Sequence, residues 1–273
     1  MIPFIIDEEK RNEELKTIYR FLEVVPSSIK ELFIKKIGNI NSYISFNHFV
    51  YTNSLDPSMH QRTVFRSQGY MKEDTAFIWI PHPRSTIYSL GREQSEVDFI
   101  NRVIKIISIL ETNHHPKKWI FDFRNNGGGL AASFISIITP FLKNLTLDLR
   151  SNSGEKVEFT ADEEEFHWTN IGGSVISDRM QRPFCIDVKN KDNIHVILNN
   201  GSASGSEIST YFFKKYLKAT IHGYPSMGAL STMADIYING VFIIYPYTEI
   251  IDKKIIKNNR LYPDVEGYNQ VGI

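Results

Sequence analysis

The sequence predicts an α/β protein built on a mainly parallel sheet, and two observations carry this prediction. From residue 75 onward, short apolar runs typical of buried strands alternate with longer segments of helical spacing. Two turns rich in glycine or serine each follow such a strand and precede a helix. Because parallel sheets place their functional loops at the carboxyl ends of strands, we expect the chemistry of this chain in these two turns.

The predicted elements follow from apolar patterns along the chain. Short apolar runs of strand type occupy residues 76–80, 119–121 and 195–198. Apolar residues at helical spacing predict helices over 95–112, 130–142 and 205–218. The dipeptide Asn239-Gly240 predicts a β-hairpin, because it separates two further apolar runs, 234–238 and 241–245.

Two regions lie outside this alternation. Residues 1–74 are predicted to form a separate N-terminal segment, helical and mixed, that contains an amphipathic helix over residues 8–22. Residues 75–273 form the predicted main domain. Within that domain the polar stretch 144–192 carries short strand patterns, and we interpret it as a small inserted lobe that resembles a cap.

Composition narrows the classes of function. The 273 residues contain 31 lysines and arginines and 31 aspartates and glutamates, a balance that gives no support for nucleic acid or an anionic membrane as the main partner. The single cysteine, Cys185, excludes an internal disulfide framework and a cysteine-rich metal site. No signal peptide and no membrane-spanning segment is visible, so the chain as given is expected to be soluble, while its compartment stays undefined.

The first of the two turns contains three consecutive glycines, Gly127, Gly128 and Gly129, between a strand and a helix. Such a run costs conformational entropy, so it indicates that the backbone turns sharply or closely approaches another group. A free amide just before a helix suits a developing negative charge. A tight turn without any ligand is the alternative interpretation.

The second turn, residues 199–207, is rich in serine and glycine and again lies between a strand and a helix. A serine such as Ser204 at this kind of turn exposes its hydroxyl at the edge of the sheet, and the amide of the next residue, Gly205, can point at the same reacting atom. Taken alone, the turn would more often be a simple helix cap. Two such turns in this order favour a catalytic site.

Together the turns resemble motifs of a known family, the tail-specific or C-terminal-processing serine peptidases. Residues 122–129, Asp-Phe-Arg-Asn-Asn-Gly-Gly-Gly, resemble the family signature Asp-Leu-Arg-x-Asn-x-Gly-Gly. Residues 202–207, Ser-Ala-Ser-Gly-Ser-Glu, resemble its nucleophile turn Ser-Ala-Ser-x-Ser-Glu. Residues 223–228 are similar to the Gly-x-x-Thr-x-Gly segment that follows, and residues 263–265 to a Pro-Asp-Val near the domain end. The resemblance implies a crotonase-like α/β core.

The resemblance also implies roles for individual residues. Ser204 aligns with the nucleophile, and the Gly205 amide, with that of Gly128 or Gly129, would supply the oxyanion hole. Glu207 matches a family residue that we interpret as structural, anchoring the start of the helix. The alternative nucleophiles are the two neighbouring serines, Ser202 and Ser206.

One position departs from the family pattern. The best-known members carry their general base, a lysine, directly after the Gly-x-x-Thr-x-Gly segment, and here that position is Ala229. Other branches that this chain resembles, the tricorn core peptidase and the nisin-resistance protein, use histidine, whose pKa near neutrality suits a base. Among eight histidines, His82 is the predicted base, because it follows the strand 76–80 and lies between two prolines that hold its loop rigid. Another histidine, or no base, is the alternative.

The function implied by this resemblance is hydrolysis of a peptide or protein substrate through an acyl-enzyme on Ser204, without metal or cofactor. The N-terminal segment leaves no room for the PDZ module of the family, which favours the branch of the nisin-resistance protein and a small, defined peptide substrate. Members of the family are usually exported. Two other classes stay open: a catalytically inactive relative that binds peptides, suggested by Ala229, and a crotonase-type acyl-thioester enzyme, which would not need the nucleophile turn.

Overall fold

The part of the chain that the computed structural model describes comprises residues 50–52, 67–82, 92–129, 131–142, 144–151, 156–161, 166–169, 175–178, 186–231, 233–238, 241–246 and 248–268. The helix predicted over residues 8–22 lies outside these residues, and so does most of the N-terminal segment. The division of the chain at residue 75 therefore stays a prediction.

Sixteen strands and three helices are described. In chain order they are β1 (Val50–Thr52), β2 (Gln68–Lys72), β3 (Thr75–Trp79), α1 (Arg92–His114), β4 (Lys118–Asp122), α2 (Ala131–Ser136), β5 (Leu145–Ser151), β6 (Lys156–Ala161), β7 (Phe166–Thr169), β8 (Val175–Asp178), β9 (Ile194–Leu198), α3 (Gly205–Leu217), β10 (Thr220–Gly223), β11 (Met233–Ile238), β12 (Val241–Pro246), β13 (Thr248–Ile250), β14 (Ile256–Lys257), β15 (Arg260–Leu261) and β16 (Val265–Glu266).

A six-stranded sheet forms the centre of the fold. Its strand order is β16-β10-β9-β4-β3-β2, and all neighbours run parallel except β2 and β3. The predicted α/β class with a mainly parallel sheet is therefore confirmed, whereas the crotonase-like detail stays a prediction. The predicted strands and the helices over 95–112 and 205–218 correspond to β3, β4, β9, α1 and α3.

The core lies between one face of this sheet and the helices. Trp119 and Phe121 of β4 point into it and are fully buried. The Phe121 ring stacks on Phe213 of α3, with ring centroids 4.6 Å apart, and meets Phe141 edge-on at 5.6 Å. These aromatic contacts hold α3 against the centre of the sheet, and the predicted nucleophile turn, residues 202–207, lies at the amino end of that helix.

The opposite face of the sheet carries a smaller buried cluster of Phe77, Ile120 and Ile197, with Tyr268 packed against it. Burial on both faces explains why the central strands appear in the sequence as continuous apolar runs rather than alternating ones. Among the described helices, none combines the length and the hydropathy that a membrane crossing requires.

The helix predicted over 130–142 is shorter than expected, because α2 ends at Ser136. The chain continues in tighter turns, in which the N–H of Ile137 donates to the Phe134 carbonyl and the N–H and hydroxyl of Thr139 donate to the Ser136 carbonyl. Pro140 has no N–H to donate, so an α-helix cannot continue regularly through this position. The apolar spacing predicted burial correctly but not the helix end.

Residues within the predicted lobe contribute β5–β8 of an antiparallel sheet with the order β13-β5-β6-β7-β8. The fifth strand, β13, comes from outside the predicted lobe and pairs with β5, where Arg150 and Glu249 form an ion pair. The predicted hairpin is confirmed, since β11 and β12 pair with Ile238 opposite Val241. The sequence pattern did not indicate that β13 would join the sheet of the lobe.

Replacement of Phe121 by alanine is expected to lower the free energy of unfolding by about 3–5 kcal/mol, because it leaves a cavity among buried rings. The matched control is Ile109→Ala, since Ile109 lies on α1 with 47% of its surface exposed; a change of less than about 1 kcal/mol is expected there. Urea denaturation of both variants measures the difference. Equal losses would contradict the placement of Phe121 in the core.

Candidate active site

The two predicted turns meet at the carboxyl edge of the central sheet, because β4 and β9, which precede them, are neighbouring parallel strands. Several hydrogen bonds join the turns, and three of them involve backbone carbonyls of the first turn. The Ala203 N–H and the Ser206 hydroxyl donate to the Asn126 carbonyl, at 2.9 and 2.8 Å, and the Ser202 hydroxyl donates to the Phe123 carbonyl at 2.8 Å. The parallel pairing thus brings together two segments that are far apart in the sequence.

Gly128 marks the closest approach of the two turns. Its φ is +82°, a conformation that favours glycine. A Cβ at this position would stand 2.6 Å from the Cβ of Ser204, 2.6 Å from the Gly205 nitrogen and 2.5 Å from the Ala203 oxygen. The absence of a side chain at residue 128 therefore allows the glycine bend to touch the backbone around Ser204.

Ser204 differs from its two neighbouring serines in conformation and exposure. Its φ of 54° and ψ of −118° are rare for a residue with a side chain, and such strain is typical of functional turns. Ser202 and Ser206 are fully buried, and their hydroxyls donate to backbone carbonyls, whereas Ser204 is only partly buried. Of the three predicted candidates, Ser204 is the one that an incoming molecule can reach.

His82 lies against the same glycine bend. A Cβ at Gly127 would stand 3.4 Å from both Cε1 and Nδ1 of the His82 ring. The loop that carries His82 is held in place by the buried Asn126 side chain, whose Nδ2 donates to the carbonyls of Ile80 and Pro81, at 2.9 and 3.1 Å. Successive glycines of one bend therefore contact the predicted base and the predicted nucleophile turn.

Asn126 is a site residue that the sequence analysis did not single out. Besides holding the His82 loop, its Oδ1 accepts the N–H of Gly128 at 2.8 Å, and its carbonyl accepts two donors from the nucleophile turn. One buried residue thus connects all three parts of the site, two through its side chain and the third through its backbone carbonyl. Its place within the family signature was the available signal, but a signature does not reveal which atoms it binds.

Glu207 is fully buried and joins the nucleophile turn to the segment that follows β10. Its Oε2 accepts the N–H groups of Ser204 and Ala229, at 2.9 and 2.8 Å. Its Oε1 accepts the Gly228 N–H at 2.9 Å and the Ser226 hydroxyl. Burial raises the pKa of Glu207 to about 7, although the four hydrogen bonds act in the opposite direction. Glu207 therefore binds the start of α3, as predicted, and also the segment that follows β10.

The lysines that follow Ser204 on α3 are engaged elsewhere. Lys214 forms an ion pair with Asp264 at 2.7 Å, Lys215 lies over two tyrosine rings, and Lys218 donates to the Lys215 carbonyl at 3.0 Å. Ala229, which stands where the family carries lysine, is fully buried. None of these positions presents an amine to Ser204 among the contacts of the described residues.

Two other histidines, His195 and His222, bind each other on the central sheet. The distance from His195 Nδ1 to His222 Nε2 is 2.7 Å, and the other ring nitrogen of His195 lies 2.9 Å from the Asn193 Oδ1. Burial, followed by the positive charge of Lys118, lowers the pKa of both rings, that of His195 to about 4. This pair is engaged within the sheet rather than at the glycine bend.

The remaining polar residues of the first turn brace it. Arg124 binds the Asp122 carboxylate through two nitrogens and lies 4.8 Å from the centre of the Tyr268 ring. The Asn199 side chain accepts the Asn125 N–H at 2.9 Å and returns a bond to the Asn125 side chain. In the described part of the chain, no group of three His, Cys, Asp or Glu side chains could hold a metal ion.

Replacement of Gly128 by alanine is expected to lower the free energy of unfolding by about 1–3 kcal/mol more than replacement of Gly267, because the new methyl would meet backbone atoms that cannot yield. Gly267→Ala is the matched control, since Gly267 has a similar φ of +79° and nothing within 4 Å of the added Cβ. Chemical denaturation of the two variants measures the difference. Equal stabilities would show that the two turns do not touch.

The His195 pair is expected to make stability depend on pH. Because the pKa of His195 is lowered in the folded chain, the unfolded chain takes up a proton first, near the ordinary value of about 6.5, and stability falls from there toward pH 4. Urea midpoints at pH 7 and pH 5 measure the net change, to which the raised pKa of Glu207 contributes in the opposite direction, so the comparison of variants isolates this loss. We expect His195→Gln to reduce it by about 1 kcal/mol, a figure lowered for partial exposure to solvent. The control His114→Gln, at an exposed position, should retain the loss; the same loss in both variants would contradict the assignment.

Three solved structures are similar to this chain. A lipoprotein from Streptococcus agalactiae is 18% identical, the match covers 82% of this chain and 73% of that protein, and the TM-score is 0.58. The photosystem II D1 C-terminal processing protease is 14% identical over 84% of this chain and 50% of its own, with a TM-score of 0.46. The tricorn protease is 18% identical over 71% of this chain and 15% of its own, with a TM-score of 0.40.

At these identities the likeness concerns the fold, and this chain spans half or less of the last two proteins. No match was found among curated proteins. The sequence model of peptidase family S41, by contrast, matches residues 94–266, which is more than half of the chain and contains both turns. The chain therefore belongs to peptidase family S41.

Proposed function

We propose that this chain is a serine peptidase in which Ser204 is the nucleophile and His82 the general base. The observation that carries the proposal is the contact between the nucleophile turn and the glycine bend at Gly128, where the backbone around Ser204 meets a run of amides. The strained backbone and partial exposure of Ser204 support its role. The substrate is a peptide or a protein.

In the proposed reaction, the Ser204 oxygen attacks the scissile carbonyl carbon while His82 takes the hydroxyl proton. The C–N bond then breaks, and His82 gives this proton to the departing amine. Water attacks the acyl-enzyme in the second half, again with His82 as base, which releases the acid and restores Ser204. A serine hydroxyl is a weak nucleophile without such a base, so the placement of an imidazole against Gly127 supports this assignment.

The negative charge that develops on the carbonyl oxygen needs preorganised donors. We assign the Gly205 amide, at the first position of α3, as one donor. The second is an amide of the bend, from Gly128 or Gly129. In this structure the Gly128 N–H donates to Asn126 at 2.8 Å, which supports Gly129, while Gly128 would take part only after exchanging that bond.

A second function, peptide binding by a catalytically inactive relative, is favoured by one observation. The position at which the family carries its lysine holds a buried methyl group, Ala229, so the usual base is missing. The two functions differ in whether Ser204 reacts.

Labelling with a fluorophosphonate tests the proposal. We expect covalent modification at Ser204, located by peptide mapping, and none in Ser204→Ala. His82→Ala should slow labelling by about 10²–10⁴-fold, the usual contribution of a general base. The control His114→Ala, at the exposed end of α1, should react like the parent chain.

Each outcome separates two assignments. Labelling of Ser202 or Ser206 would show that the labelled serine, and not Ser204, is the nucleophile. A labelling rate that is unchanged in His82→Ala would show that His82 is not the base. The absence of labelling in a folded chain would favour the binding function.

A further inference from the structure

The carboxylate of Glu207 binds to both of the segments that surround Ser204. It accepts the Ser204 N–H from the nucleophile turn, and the Gly228 and Ala229 N–H groups and the Ser226 hydroxyl from the segment after β10. We propose that Glu207 is the positioning residue of the nucleophile and that Ser204 is held in its reactive geometry only while Glu207 is ionised. This inference rests on the proposed function of Ser204.

The hydrogen-bond inventory around Glu207 fits an anion. Three of its partners are backbone N–H groups, which only donate, so they cannot accept a proton placed on the carboxyl group. The fourth, the Ser226 hydroxyl, already accepts the Leu261 N–H at 3.0 Å. If a neutral Glu207 donated to Ser226, the hydroxyl hydrogen of Ser226 would lose its acceptor. Protonation therefore leaves the Ser226 hydroxyl hydrogen without its acceptor and removes the charge that strengthens the bonds from the three N–H groups, that of Ser204 included.

Ser204 depends on these bonds because its backbone is strained. A φ of 54° with a ψ of −118° costs free energy for a residue with a side chain, and such a conformation persists only where its surroundings hold it. The bond from the Ser204 N–H to the Glu207 Oε2 is one of these restraints, at 2.9 Å. When it weakens, the turn can relax and move the hydroxyl away from the glycine bend.

Among the described residues, no charged group is a cause of the raised pKa of Glu207. Burial is the first cause of its pKa of about 7, and the four hydrogen bonds are the others. On its own helix, Lys214 lies two turns further along and binds Asp264. From β15, Arg260 packs on Gly228, where its side chain fills the space beside that glycine. The fraction of ionised Glu207 therefore changes within the neutral range, which makes its effect on Ser204 measurable.

The first experiment measures the rate of fluorophosphonate labelling of Ser204 between pH 5 and pH 9. We expect the rate to fall on the acidic side, where both Glu207 and the proposed base His82 take up a proton. Only the Glu207 part responds to Ser226→Ala, which should shift the fall to higher pH by about one unit, because the carboxylate loses one donor. Ser209→Ala is the matched control: Ser209 is an equally buried serine of α3, but its hydroxyl donates to the Phe134 carbonyl. An acidic fall that Ser226→Ala does not move would overturn the proposal.

The second experiment does not require a reactive nucleophile. The Ser204→Ala chain is labelled with [δ-¹³C]glutamate, and the Glu207 signal is identified by its loss in a chain that also carries Glu207→Gln. We expect this carboxyl group to titrate near pH 7 and the protection factors of the amides in segment 203–208, which are corrected for the intrinsic pH dependence of exchange, to fall as Glu207 takes up its proton. The inference is contradicted if the Glu207 carboxyl group stays ionised at pH 5, or if the protection of the 203–208 amides does not change when Glu207 titrates.

The two experiments separate the two proposals. If Ser204 is never labelled while the exchange of its turn follows Glu207, the proposed peptidase function fails and the positioning role of Glu207 stands as a structural one. If Ser204 is labelled at a rate that follows neither the Glu207 titration nor Ser226→Ala, the peptidase function stands and this inference fails.

Discussion

The rest of the site depends on one steric constraint, the close approach of two backbone turns at Gly128. A single Cβ at this position would overlap with atoms of Ala203, Ser204 and Gly205. Contact at this distance is possible only because β4 and β9 are adjacent parallel strands, whose carboxyl ends deliver both turns to one edge. The sheet therefore sets the meeting point, and the missing side chain allows the backbones to meet there.

A buried carboxylate, that of Glu207, supplies a second restraint on the nucleophile turn. The folded chain binds a proton on Glu207 more tightly than the unfolded chain does, since burial raises its pKa to about 7. By this linkage, its contribution to stability is largest below the ordinary pKa of a glutamate and is lost as pH rises toward 7. Keeping Glu207 ionised thus costs stability, and the four hydrogen bonds that offset this cost also order the turn.

The sequence predicted the features that arise from local pattern and missed those that depend on contacts between segments. Strand and helix periodicity located β3, β4, β9 and α3, and the two turns were recognised from glycine and serine between such elements. The double role of Asn126 was not visible, because its partners lie on a loop about 45 residues earlier and on a turn about 80 residues later. The addition of β13 to the sheet of the lobe was missed for the same reason, since pairing of distant strands leaves no local signature.

The departure at Ala229 changes the side of the site from which a proton acceptor must come. The backbone of this segment is already committed, because the Ala229 N–H binds Glu207 and the methyl group is buried. Under the proposed function the base comes instead from the glycine bend, beside which the Asn126 side chain fixes the loop of His82. Under the proposed roles, the Asn126 side chain would position the base, the Glu207 carboxylate would hold the backbone of the nucleophile, and the Asn126 backbone carbonyl would couple the two, since it binds the turn that carries Ser204.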